Sequence, residues 1–316
     1  MQPSVSVVVA THNRPDRLER TISALRAQTF PRDSYELIVV DDGSGPETIQ
    51  LVERLRALDG NPPLVVERLD PGLGPGGARN RGWRTARGEL IAFTDDDCEP
   101  EPGWLEALVS VAERNPGAIV QGPTLPHPDE EELLVGFSRT LSVSRLGPWF
   151  ETANILYPRS LLERHGGFDE ISFSRPGGED TDLAWRAIEQ GAPTAWADGA
   201  VVHHAVLGVG WRALLRKAAR WDETMLCFKR YPILRRELHW RLFWTREHVS
   251  FYFALLGLAL TPVAPRWIRA LLLLPYIRRL YAGRRTLTWA PFRVALDVVE
   301  SAACIRGSLR YRVLVL

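Results

Sequence analysis

Three consecutive aspartates, Asp95, Asp96 and Asp97, follow an apolar run at residues 90–93 (LIAF). Like charges packed together repel and raise one another's pKa. A divalent cation offsets that repulsion, and hard ions such as Mg2+ or Mn2+ prefer carboxylate oxygen. The rival reading is a solvated turn with a helix cap, since Pro100 and Pro102 follow. The apolar run ahead of the triplet favours the metal. A second acidic group, Glu179, Asp180 and Asp182, stands at a predicted helix start behind Gly177 and Gly178. A helix dipole favours acids in its first turn. Two glycines also let backbone approach a ligand, and three acids together point to a site. The stretch GPGGARNRG at 74–82 is glycine-rich but matches no standard phosphate-loop pattern. It sets Arg79 and Asn80 just inside a helix, where N–H groups and positive charge favour an anion. The run VVHHAV at 201–206 carries His203 and His204, and imidazole is a common metal ligand.

Those residues need a scaffold. Residues 4–10, 36–41, 64–66 and 90–93 are short, mainly apolar runs rich in β-branched side chains. Such runs suit strands buried on both faces. Between them lie helical patterns: Leu18, Ile22 and Leu25, then Ile49, Val52 and Leu55, then residues 76–87 and 102–114. Strand alternating with helix predicts an α/β layer with a parallel sheet. Ligands on such sheets bind beyond the carboxyl ends of the strands. Polar clusters fall at those ends: Thr11, His12 and Asn13, then Asp41 and Asp42, then the triplet.

Composition narrows the class. Hydrophobic residues make up 45% and charged residues 24%, an ordinary globular usage. Cys98, Cys227 and Cys304 lack metal-type spacing, which argues against a zinc ribbon and a disulfide scaffold. The first residues read as a strand rather than a secretion signal. The net charge of +1 conceals an asymmetry. Residues 1–200 carry 19 arginines against 32 acids, a net −13, and residues 201–316 carry 20 basic residues against 6 acids, a net +14. The chain therefore divides into residues 1–210 and a basic, helical 211–316.

VVVATHNRP, IVVDDGSG, GGARNRG, IAFTDDDCEPEPGWL, GGFDE and GGEDTDLAWR stand in the order seen in family 2 glycosyltransferases, across about residues 4–206. The chain resembles that family. The resemblance implies a GT-A fold, a Rossmann-like α/β sheet with helices on both faces, and an inverting transfer from a UDP- or GDP-sugar. It implies that Asp42, beside Asp41, binds the nucleotide base, and that Thr11 borders base and ribose, with Asn13 nearby. Asp95 and Asp96 then face the donor, and Asp97, with Asp95, holds Mn2+ or Mg2+. Arg79 and Asn80 become donor contacts. Asp180 becomes the general base, with Glu179 contacting the acceptor or positioning the base and Asp182 on the acceptor side. His203 becomes a further metal ligand, with His204 as the alternate. Trp104, Asn154 and Trp149 are expected to line the acceptor site. The loop 171–176 is a candidate lid.

Past residue 211 the pattern changes. Residues 211–230 read as one basic amphipathic helix. Residues 248–265 hold no Asp, Glu, Lys or Arg, and a second apolar run follows at 270–277. Arginines flank both, which suits a membrane surface. An interfacial hairpin ranks first, a single span second and a soluble tail third. The expected partners are a nucleotide sugar, a glycan or lipid-linked acceptor of the cell envelope, and the cytoplasmic face of a membrane. Nucleic acid is not expected, because the arginines interleave with long apolar runs. The competing functions are a silent nucleotide-sugar binder and a dinucleotide-dependent oxidoreductase. The latter lacks its glycine fingerprint after the first strand.

Overall fold

The computed structural model describes residues 3–57, 60, 62–134, 137–173, 175–281 and 286–316. Ser174, within the candidate lid, lies outside the described residues. Internal contacts divide the chain into two compact units, Met1–Gly208 and Val209–Leu316.

The first unit runs β1 (Val5–Thr11), α1 (Pro15–Arg26), β2 (Tyr35–Asp42), α2 (Pro46–Ala57), β3 (Leu64–Leu69), α3 (Gly74–Thr85) and β4 (Leu90–Asp95). It continues with β5 (Cys98–Pro100), α4 (Trp104–Arg114), β6 (Ile119–Gln121), β7 (Thr124–Pro126), β8 (Ser138–Arg139) and β9 (Asn154–Pro158). It closes with α5 (Arg159–His165), α6 (Glu179–Ile188), β10 (Thr194–Trp196), β11 (Val202–His204) and β12 (Leu207–Gly208). Seven strands form one sheet in the order β10-β6-β9-β4-β1-β2-β3. β9 is antiparallel to both of its neighbours, and the other adjacent pairs are parallel. A smaller sheet takes the order β5-β11-β7.

The period of two along the strands divides the core. Val5, Val7, Val9, Leu37 and Val39 join Leu18, Ile22 and Leu25 of α1 and Leu105 and Leu108 of α4 on one face. Val8, Ile38, Val40, Ile91 and Phe93 join Ala78 of α3 and Leu183 and Ala187 of α6 on the other. Both faces are therefore covered, as the mainly apolar runs require. The register aligns the strand ends: Thr11 pairs with Asp41, and Ala10 pairs with Asp95. The predicted polar clusters thus emerge along one edge of the sheet.

The second unit is helical: α7 (Trp211–Ala218), α8 (Trp221–Arg230), α9 (Arg246–Ala259), α10 (Arg266–Leu280) and α11 (Thr286–Tyr311). The single helix expected over 211–230 is two, separated at Ala219 and Arg220. Phe251, Ala254 and Tyr276 form a small core between α9 and α10. α11 passes close to α8 at Gly307, where an added Cβ would lie 2.4 Å from the Asp222 carbonyl oxygen. The charge-free run 248–265 does not make one long helix, because α9 stops at Ala259. At about 1.5 Å per residue such a helix falls short of a bilayer's hydrocarbon core. Among the described residues no helix is long and apolar enough to cross a membrane. The single-span reading fails on that length.

Candidate active site

Arg79 joins the two acidic groups that the sequence singled out. It projects from α3 and is nearly buried, with 9% of its side chain exposed. Its Nη2 donates to Asp95 Oδ1 at 2.8 Å. Its Nη1 donates to Glu179 Oε1 and Asp180 Oδ1, each at 3.4 Å. Burial opposes the guanidinium charge, but the carboxylates of Asp180, Asp95 and Glu179 outweigh it and raise the pKa. Burial also opposes ionisation of Asp95, yet the charge and hydrogen bond of Arg79 hold its pKa low. One cation among three carboxylates leaves an excess of negative charge in a poorly solvated place.

The two acids at the start of α6 divide that strain unequally. Gly178 precedes them at φ 121°, a conformation that suits glycine. Glu179 is almost inaccessible, and burial together with the Asp180 charge pushes its pKa up to about 7. The Gly177 N–H donates to Glu179 Oε2 at 2.8 Å. Asp180 stays open, with 22% of its side chain exposed against 6% for Glu179. The Thr152 N–H and Oγ1 both donate to Asp180 Oδ2, at 3.1 and 3.0 Å. Burial raises the Asp180 pKa, Arg79 opposes the rise, and Asp95 adds to it. An ionisable oxygen, oriented and partly exposed, is what a general base requires.

The triplet points three ways. Asp95 faces Arg79. Asp96 turns inward, where Thr11 Oγ1 donates to its Oδ2 at 2.8 Å and Arg14 Nη1 to its Oδ1 at 2.9 Å. Burial pushes Asp96 up to about 6 against the charge of Arg14. Asp97 Oδ2 accepts from the same Arg14 nitrogen at 2.7 Å. Asp97 Oδ1 lies 3.6 Å from His204 Nε2. His204 Nδ1 lies 2.7 Å from the Ala205 carbonyl oxygen and donates to it, which leaves Nε2 to face Asp97. A carboxylate oxygen and a ring nitrogen thus face each other across a gap that a cation could fill.

The residues present fit a divalent metal. Ligand atoms of Asp97, His204 and Cys98 lie within 4.8 Å of one another. Burial, reinforced by Asp95 and Asp97, pushes the Cys98 thiol well above its ordinary pKa, so without a metal it stays protonated. One carboxylate and one imidazole are donors of the kind that hold a first-row divalent cation.

Several expectations need correction. His203 is not beside the triplet: its Nε2 lies 3.0 Å from Glu101 Oε1. Neighbouring residues on β11 point to opposite faces, so His204 is the one that meets Asp97. Trp104 is fully buried, and its Nε1 donates to Asn154 Oδ1 at 2.8 Å. Asn154 is buried as well and donates to the carbonyls of Pro123 and Ala200, both at 2.7 Å. Both are core residues with no surface for an acceptor. Asp182 is fully buried, with Oδ2 taken by Arg186 at 2.8 Å. Asn80 is closed to a donor: its Oδ1 accepts from Trp83 Nε1 and the Phe168 N–H, each at 2.9 Å, which pins the GGFDE turn. Thr11 and Asp96 are bonded to each other, and Asp96 also accepts from Arg14. Asn13 ties two loops together, accepting from the Gly45 N–H at 2.7 Å. Asp42 Oδ1 accepts from the Leu73 N–H at 2.6 Å. Asp41 is the less committed acid: Ser44 N–H donates to its Oδ1 at 3.1 Å, while its buried Oδ2 has no hydrogen-bond partner. Trp149 contributes its carbonyl oxygen to Thr181 Oγ1 at 2.8 Å.

Two contributors were not foreseen. Arg14, in the THNRP stretch, bridges Asp96 and Asp97, and its cationic side chain near the triplet was a readable signal. Thr152 carried none, since only the antiparallel course of β9 brings it to Asp180.

A mixed sheet with helices on both faces and an acidic cluster beyond its strand ends defines the GT-A fold. Among solved structures, a mannosyltransferase from Pyrobaculum calidifontis, PcManGT, in complex with GDP-Man and Mn2+, shares it with a TM-score of 0.70 at 22% identity, covering 97% of this chain and 87% of that one. TarS 1-349 from S. aureus, in complex with UDP-GlcNAc, aligns with a TM-score of 0.53 at 18% identity, covering 98% and 92%. The sequence model described as Glycosyl transferase family 2 matches residues 6–169, and that of Glycosyl transferase family group 2 matches residues 90–292. The chain belongs to glycosyl transferase family 2. A validoxylamine A glucosyltransferase of Streptomyces hygroscopicus subsp. jinggangensis is 31% identical over 60% of this chain and 53% of its own length. The glycosyltransferase AglE of Haloferax volcanii is 27% identical over 69% of this chain and 71% of its own. The chain spans about half the length of the first of these relatives.

Proposed function

We propose that this protein transfers a sugar from a UDP- or GDP-sugar to an acceptor hydroxyl, with inversion at the anomeric carbon. The observation that carries the reading is the convergence on Arg79 of Asp95, from the end of β4, and of Glu179 and Asp180, from the start of α6. Asp180 takes the proton of the acceptor hydroxyl as that oxygen bonds to the anomeric carbon. The bond from that carbon to the diphosphate breaks, and the leaving nucleotide departs with its electron pair. Thr152 fixes one oxygen of Asp180 and leaves the carboxylate oriented for this task. Arg79 holds Asp95 and the base in one frame. The Oδ2 of Asp41, which has no hydrogen bond and only a 3.8 Å ion pair to Arg68, is the acceptor offered to the nucleotide base. Asp97 and His204, with Asp95, would hold Mn2+, which when bound neutralises charge on the departing diphosphate.

The acceptor reading rests on the second unit. Residues 248–296 contain seven arginines and no acid. Val263, Trp267 and Leu271 are among the large apolar side chains exposed there, Trp267 by 69%. Apolar side chains edged by arginine suit an interfacial position on an anionic membrane, and a nucleotide-sugar donor places the protein on the cytoplasmic face. A lipid-linked or envelope glycan acceptor follows from that position.

A thermal-shift panel of UDP, GDP, CMP and NAD, each with and without Mn2+, tests the donor reading. Stabilisation by UDP or GDP that depends on Mn2+ is expected, since a ligand of the native state raises apparent stability. Stabilisation by NAD alone, or by none of them, would overturn it.

A further inference from the structure

Polar groups gather on α9 and α11, far along the sequence from the donor site. His248 is fully buried, at 0% exposure, and neither ring nitrogen has a hydrogen-bond partner among the described residues. Its Nε2 stands 3.4 Å from Glu300 Oε2. Asp297, also buried, completes a group whose ligand atoms lie within 4.8 Å of one another. The Tyr252 hydroxyl and the Ser301 Oγ, on the same two helices, pair with each other. Buried polar groups are normally paired, so two unpaired nitrogens of a fully buried ring beside two carboxylates call for an explanation.

The spacing follows helical geometry. Asp297, Glu300 and Ser301 fall at i, i+3 and i+4, which puts them on one face of α11. His248 and Tyr252 are likewise i, i+4 on α9. Two ligands held about 2.0–2.1 Å from a tetrahedral ion lie about 3.3 Å apart, close to the 3.4 Å between His248 and Glu300. Asp297 is already oriented. Tyr276 Oη and Arg279 Nη1 donate to its Oδ2 at 2.8 and 2.7 Å, and Arg279 Nη2 donates to its Oδ1 at 3.1 Å. Both lone pairs of Oδ2 are engaged, while Oδ1 keeps one. Metal-binding carboxylates are commonly held by hydrogen bonds of this kind. Arg279 reduces the affinity for a cation, but two carboxylates and an imidazole still leave negative charge in excess. Glu300, with 19% of its side chain exposed, offers a path from solvent.

We infer that His248, Asp297 and Glu300 form a binding site for a first-row divalent cation, with Zn2+ as the ion best matched to one imidazole and two carboxylates. The ion ties α9 to α11 within the helical unit. The rival is a metal-free pair between His248 and Glu300. This site is independent of the donor-site reading.

The test uses the full chain, and every Asp97→Asn chain in it also carries His204→Gln, which together remove two of the three grouped donor-site ligands. Protein stripped with a chelator is titrated with Zn2+ by calorimetry. One equivalent of tight binding and a higher melting temperature are expected. Adding Glu300→Gln should weaken Zn2+ binding by at least about tenfold, with the far-UV circular dichroism unchanged. No binding in the Asp97→Asn chain, or undiminished binding in both Glu300→Gln and His248→Gln, overturns the inference. Should those variants fail to fold, Co2+ in the Asp97→Asn chain decides. An intense tetrahedral d–d spectrum supports the site, and a weak octahedral spectrum overturns it.

Discussion

Thr152 grips a single oxygen of Asp180 twice, through its N–H at 3.1 Å and its Oγ1 at 3.0 Å. Among the described residues the other oxygen meets the long contact to Arg79 at 3.4 Å. Asp180→Asn should therefore lower kcat by about 10²–10⁴, the usual worth of a general base, while donor affinity stays within about twofold. Donor affinity falling as far as kcat would contradict the assignment.

Thr152→Val removes one donor and keeps the shape. Hydrogen bonds to the charged form lower a carboxyl pKa, so losing one raises that of Asp180. The acid limb of the pH profile for kcat/KM should move to higher pH, with kcat down about tenfold. A reduced rate with an unmoved limb would make Thr152 a packing residue only.

Glu179 connects the site to stability. Its folded pKa of about 7 lies above the ordinary 4.5. Between those values the native state holds a proton that the unfolded chain releases, so this group's contribution to stability is lost as pH rises. Glu179→Gln should match the parent below about pH 4.5 and exceed it by on the order of 1–3 kcal/mol above about pH 7. Urea unfolding of both chains at pH 4.5 and 8, without added metal, measures this. Equal stability at pH 8 would refute a strained Glu179.

Trp104→Phe separates core from binding site. It leaves the buried Asn154 Oδ1 without its indole donor, which costs about 1–3 kcal/mol. Stability should fall while the KM for acceptor stays unchanged. A raised acceptor KM in a chain of normal stability would restore the acceptor role.

For the second unit, co-sedimentation with vesicles is the measure. Binding should be stronger to anionic than to neutral lipid and should fade with salt. Trp267→Ser combined with Leu271→Ser should lower it by at least about tenfold, because each large apolar side chain contributes about 1.5–3 kcal/mol on burial. Unchanged binding would place the attachment elsewhere.

Much of the scaffold was legible in the sequence because it depends on local pattern. Apolar runs marked β1, β2 and β4, and the i, i+4, i+7 spacing marked α1. The acids near Arg79 were legible for the same reason, since three in a row or at a helix start are conspicuous. What escaped depends on tertiary contact. Whether His203 or His204 faces Asp97 is decided by the phase of β11. Whether Trp104 or Asn80 faces ligand or core depends on partners 50 and 88 residues away. Sequence offered only the side-chain types there, and a tryptophan or an asparagine serves either place. The helix break at Ala219 and Arg220 has no glycine or proline to announce it.

β9 lies reversed between β4 and β6, with Thr94 opposite Asn154. Its beginning, rather than its end, therefore reaches the edge where the ligand groups collect. The residues that brace Asp180 arrive on the chain entering this strand, not on the loops leaving β1, β2 and β4. Residues 140–151 also include Thr140, whose Oγ1 donates to the His204 carbonyl oxygen, and Phe150, which shares a core cluster with Ala78 of α3, so the segment touches the elements that carry His204 and Arg79 as well as Asp180. A change there would be felt at once by the brace on Asp180, the helix that carries Arg79 and the strand that carries His204.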